Sequence, residues 1–171
     1  MATTYTLISS NTLSASAASV TFSAIPSTYT DLVLRTSIRN DDTSSGYVFF
    51  RFNSDSGTTY SNTRLQGTGS AASSARQSSV TYTAYYQSDT SGDTANTFAN
   101  GELYIPSYTA SQNKPVAYFS ASETNATASI MATVAGLWSN TAAITSITVG
   151  NLSTLQFVSG SSFYLYGIKN S

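Results

Sequence analysis

A chain of 171 residues suits one domain whose core removes roughly 70% of the unfolded chain's surface from water. It contains no cysteine and no histidine, which excludes disulfides, thiolate nucleophiles, Cys- or His-ligated metals and any triad built on an imidazole base. Only 9% of the residues are charged and the net charge is -1, so there is no basic patch for phosphates and a nucleic-acid partner is not expected.

Apolar residues alternate with a period of two and no sustained i, i+3, i+4, i+7 stripe occurs, so the chain reads as all-β. The opening MATTYTLISSNTLSASAASV has neither a positive n-region nor a long apolar h-region, and no later stretch reaches the roughly 20 apolar residues of a bilayer span. Neither a cleaved signal nor a membrane partner is expected. A short strand or arm falls in residues 1–10, around TYTLIS, and ASVTFSAI (Ala18 to Ile25) follows as a second strand. Pro26 then marks a connection, because proline removes a ladder donor. DLVLRTSIRN sets Leu32, Leu34, Thr36 and Ile38 on one face, and Val33, Arg35, Ser37 and Arg39 on the other.

YVFFRFN (Tyr47 to Asn53) places Val48, Phe50 and Phe52 together, opposite Tyr47, Phe49 and Arg51. TTYSNTRLQ is a weaker strand, and the small, polar residues 67–79, GTGSAASSARQSS, read as a long surface loop. SVTYTAYYQ, NTFANGELYIP, KPVAYFSAS, TASIMATVAGLW, AITSITVG and SSFYLYGIK complete the series. The β-branched residues and length of IMATVAGLW favour a buried strand over a helix. About ten short strands separated by turn residues predict a single antiparallel β-sandwich over residues 1–171, jelly-roll-like in form.

The eight carboxylates offer little that is organised. A glycosidase needs two of them at a fixed separation, whereas NDDTSSG and SDTSGD read as turns that aspartate closes. Asp41 with Asp42, or Asp89 with Asp93, lack the regular spacing of a calcium loop, so no metal and no cofactor is expected. Asn125 and Asn151 match the glycosylation sequon without a secretion signal behind them. Three side chains are candidates for an interface. Arg35 and Arg39 share a face and could pair with a neighbouring subunit or form a solvated back, and Tyr85 is opposite in parity to Tyr82 and Tyr86, which turns it outward.

The blocks YTLISS, ASVTFSAIPSTYTDLVLR, NTFANGELYIPSYT, NKP, AGLWSNTAAITSITV and FYLYGI resemble a family of small all-β proteins encoded among the structural genes of tailed bacteriophages. The likeness runs over nearly the whole chain and weakens between Asn40 and Asp93. It implies a non-enzymatic virion structural protein assembled in the host cytoplasm, most readily a capsid decoration or cement protein. Its partners would be the major capsid protein or other virion proteins, and its own copies in a homotrimer. The alternative is a tail-fibre or head-fibre module that binds host-surface glycan. The family's motifs are strand and turn patterns, so no functional residue carries over.

Overall fold

The computed structural model describes residues 4–43, 46–125, 129–152 and 154–169, and the side chains of residues 84–86 lie outside that description. The described residues form twelve strands: β1 (Tyr5–Thr12), β2 (Ser19–Phe22), β3 (Asp31–Ile38), β4 (Gly46–Phe52), β5 (Tyr60–Gly67), β6 (Ala72–Val80), β7 (Thr83–Ser88), β8 (Ala99–Ile105), β9 (Lys114–Ser122), β10 (Ile130–Trp138), β11 (Ile147–Asn151) and β12 (Ser162–Ile168). One sheet has eight strands in the order β1-β12-β3-β8-β9-β10-β5-β6, and a second has four in the order β2-β11-β4-β7. All neighbours are antiparallel and the sheets pack as a sandwich. The all-β antiparallel sandwich is the expected one, and the strand order describes its architecture.

The period-two reading accounts for the core. Leu32, Leu34 and Ile38 of β3 are fully buried, as are Val48, Phe50 and Phe52 of β4 on the facing sheet. Aromatic rings bridge the two layers: Phe50 lies 5.1 Å from Tyr118, and Phe52 lies 5.7 Å from Trp138 and 6.2 Å from Tyr60. Tilted rings at these separations gain about 0.5–1.5 kcal/mol per pair beyond their burial. Across the same gap the Thr83 hydroxyl of β7 donates to Asn62 Oδ1 of β5 at 2.9 Å, which satisfies two buried polar groups at once. β10 is a strand, as its β-branched content predicts.

Residues 67–79 correct the expected loop. Thr68 N–H donates to the Ala71 carbonyl at 2.9 Å, Gly69 takes a φ of +81°, and the chain turns straight into β6. β6 then pairs with β5 from Gly67↔Ala72 to Ser61↔Ser78. Alternation marks a strand only when one face is buried. β6 is the edge of its sheet with nearly every side chain exposed, so serine and alanine fill both of its faces and no pattern results.

Candidate interaction face

The small sheet covers only one side of the large one, and β7 lies against β5, β9 and β10. Pairing registers define the other side. One row runs Leu7, Tyr166, Val33, Tyr104, Ala117, Ala135, Thr63, Arg76 across all eight strands. The next runs Ser10, Tyr164, Arg35, Glu102, Phe119, Thr133, Leu65, Ser74, and a third runs Thr12, Ser162, Ser37, Asn100, Ala121, Met131, Gly67, Ala72.

The large hydrophobic side chains exposed among the described residues are Tyr5, Leu7, Leu65, Tyr104, Phe119 and Met131, at 37% to 59% exposure. All six belong to this face. Half-exposed side chains of this size put roughly 500 Å² of apolar surface on one side of the molecule, at the upper end of what a monomer ordinarily shows. The outer side of the small sheet differs. There the Arg51 guanidinium lies 5.0 Å above the Phe49 ring, which in turn packs 5.7 Å from Tyr82, and Thr21 and Thr148 share a hydrogen bond.

Charge on the large face comprises one ion pair, the buried Asp31 carboxylate bonded to the Tyr104 hydroxyl at the start of β3, and Arg76 at the β6 margin. Arg35 Nε donates to Glu102 Oε2 at 2.9 Å, from adjacent positions on β3 and β8. Its guanidinium lies 5.7 Å from both the Tyr5 and Tyr166 ring centres, and those rings meet edge to face at 6.4 Å. The Glu102 hydrogen bond holds Arg35 above its ordinary pKa against partial desolvation. Both side chains are about half exposed, so the pair itself adds at most about 1 kcal/mol to folding. Beside it, Arg35, Asn100, Glu102 and Phe119 line an open hollow of about 250 Å³. A second hollow of about 270 Å³ lies between Leu65, Ala72, Phe119, Met131 and Thr133 and is almost wholly apolar.

Of the three side chains singled out in the sequence, only Arg35 is seen on this face. Arg39 is 9% exposed and its guanidinium turns inward to the carbonyls of Asp93 (3.0 Å), Thr94 (2.8 Å) and Thr97 (3.0 Å). It fastens the connection between β7 and β8. Tyr85 lies in β7, and its side chain is outside the described residues.

The carboxylates are held within the chain. Asp31 accepts from the Tyr104 hydroxyl (2.9 Å) and Ser107 N–H (2.8 Å), and Asp55 from Trp138 Nε1 (2.7 Å), Gly57 N–H (2.8 Å) and the Thr59 hydroxyl (2.9 Å). Asp93 closes a turn on Thr90 N–H (2.7 Å), Asp41 accepts from Gln156 N–H (2.8 Å), Asp42 from Thr43 N–H (2.6 Å), Glu123 from Asn125 N–H (2.9 Å), and Asp89 from the Ser122 hydroxyl. No cluster of three metal-ligating side chains occurs among the described residues.

Nothing in the sequence marks Lys114, which is fully buried with its pKa lowered by desolvation. A buried amine of this kind can serve as a nucleophile. Here its Nζ donates to the carbonyls of Ala110 (2.7 Å), Gln112 (2.5 Å) and Thr141 (3.3 Å). Three donors meet three acceptors with no path to solvent, so Lys114 ties the β8–β9 connection to the segment after β10.

The exposed apolar residues were equally unmarked. KPVAYFSAS and IMATVAGLW carry apolar residues in both parities, and only the register shows Phe119 and Met131 sharing the uncovered side. No protein-family model, curated protein or solved structure matches the chain.

Proposed function

We propose that the chain is a non-enzymatic structural protein of a tailed-phage virion, acting as a capsid decoration protein on the outer shell. The observation that carries this reading is the uncovered face of the eight-stranded sheet. It is broad, rich in Tyr, Ala and Thr, and carries one internally neutralised ion pair. Such a face meets a partner without removing many ions from water. The partners are the major capsid protein or another virion protein, and further copies of this chain, three-fold in the family it resembles. Binding to the assembled shell and not to its free subunits would stabilise the shell by mass action.

A cryo-EM map of the particle tests the reading. Density in many copies over the shell is the expected result, and a handful of copies at the tail would sink decoration. The hollow beside Phe119, with Asn100 and the Arg35–Glu102 pair at its rim, favours one second reading: a fibre module that stacks a sugar ring on Phe119 and bonds its hydroxyls. Glycan binding lost on Phe119→Ala would move the chain to that class.

A further inference from the structure

We infer that the outer face of the eight-stranded sheet is closed by a second copy of the same chain across a two-fold axis. This is the face on which the virion reading rests, here given a second copy of this chain as occupant in place of the capsid or a three-fold ring, so the two readings are tested separately. Eight strands spaced about 4.8 Å apart, each about 25 Å long, give a footprint of roughly 850 Å². A stable interface needs about 800 Å² from each partner. Sheets pack face to face in the aligned manner of a sandwich, which accommodates the twist of each.

The charge distribution selects the partner. Arg35 is neutralised by Glu102 at 2.9 Å within the same face, Arg76 lies at the margin on β6, and Asp31 is held at the start of β3 by Tyr104 and Ser107. The centre of the face therefore carries no net charge to attract an acidic or a basic partner, and two identical faces meet there without repulsion. What it complements is a neutral, apolar sheet surface, which this chain itself supplies. Relief also fits. Phe119 and Met131 project beside the apolar hollow of about 270 Å³ that they share with Leu65 and Thr133, so each copy has both a projection and a recess. A ring of three needs two different patches on each chain, whereas one patch that meets itself is isologous and closes at two.

Sedimentation of the purified full chain over the micromolar range tests this. The expected species is a pair. Phe119→Lys, at a side chain that is half exposed in the single chain, raises the dissociation constant about a hundredfold, because the two-fold sets the new charge into one interface twice. Thr133→Cys supplies a second readout, since the chain has no other thiol. Thr133 is exposed on the same face next to Phe119, so its labelling by a thiol reagent slows as protein concentration rises. A monomer across the range, a trimer, an oligomer indifferent to Phe119→Lys, or labelling that ignores concentration each overturns the pairing. Should Phe119→Lys fail to fold, the labelling of Thr133→Cys decides alone. A chain that is monomeric by itself yet coats capsids through Phe119 assigns the face to another occupant and leaves the virion reading standing.

Discussion

Tyr60→Phe separates a hydrogen bond from a buried ionisation in one experiment. Tyr60 is 1% exposed, its hydroxyl accepts from Phe52 N–H at 3.1 Å and faces the Asp55 carbonyl at 3.2 Å, and its ring stacks on Trp138 at 6.2 Å and 16°. Phenylalanine keeps the stack and removes the oxygen, which leaves buried backbone groups without that partner at a cost of about 1–2 kcal/mol. The wild-type phenol is pushed up to about 12, chiefly by burial, against about 10 in the unfolded chain. Between those values the native state keeps a proton that the unfolded state releases. Wild-type stability therefore falls as pH rises through this window, by about 1.4 kcal/mol per pH unit.

The variant lacks that loss, and the remaining tyrosines are common to both proteins and cancel in the difference. Its deficit of about 1–2 kcal/mol near neutral pH should shrink above about pH 10 and vanish near about pH 11. Urea unfolding followed by the fluorescence of Trp138, the chain's single tryptophan, measures both curves. A deficit that stays constant through about pH 11.5 would refute the argument that burial holds the phenol neutral.

Other perturbations follow from the same reasoning. Hydrogen bonds to Asp55, first among them from Trp138 Nε1, hold its carboxyl below the ordinary range. Its contribution is present above about pH 4 and is lost as pH falls through the depressed native value, so Asp55→Asn should flatten the acid limb of a melting-temperature profile. Arg39→Met should cost about 2–4 kcal/mol by stripping the carbonyls of Asp93, Thr94 and Thr97 of a charged donor, and limited proteolysis should then cut first in residues 89–98. An unchanged cleavage pattern would mean that the clamp is not what orders that connection. A methyl group at Gly101 would run into the Tyr118 hydroxyl and come within 2.8 Å of Thr36 Oγ1. Gly101→Ala should therefore destabilise by about 1–3 kcal/mol, and adding Tyr118→Phe should recover only part of it in chemical denaturation, because the Tyr118 ring carbon Cζ, 2.6 Å from the methyl, and Thr36 Oγ1 remain.

The core was legible because one buried face writes itself into a strand as alternation. Leu32, Leu34 and Ile38, and Val48, Phe50 and Phe52, lie where period two places them. β6 was illegible for the converse reason, being an edge strand with both faces in water. The uncovered face was illegible in a third way. β9 and β10 carry Phe119 and Met131 at positions that look like core, and which parity faces the opposing sheet is revealed only by the strand order and register. With two layers, the side of the larger sheet turned from the smaller one stays bare.

Arg35 and Arg39 show where parity stops being a guide. In sequence they are equivalent, four residues apart on the outward side of one run. β3 remains in its sheet through Ile38, paired with β12 on one flank and β8 on the other, so Arg35 stays on the outer face and meets Glu102 from the next strand. Beyond Ile38 the partner changes, because Arg39 makes an isolated parallel bridge with Asp89 and Asn40 N–H donates to the Asp89 carbonyl at 2.9 Å. With that change of partner the Arg39 guanidinium meets the carbonyls of residues 93, 94 and 97 instead of solvent. A charge on an alternating run is thus assigned to a face only as far as its ladder continues. By that rule, Arg35 is the arginine of this run available to a partner, and Arg39 is the one on which the fold depends.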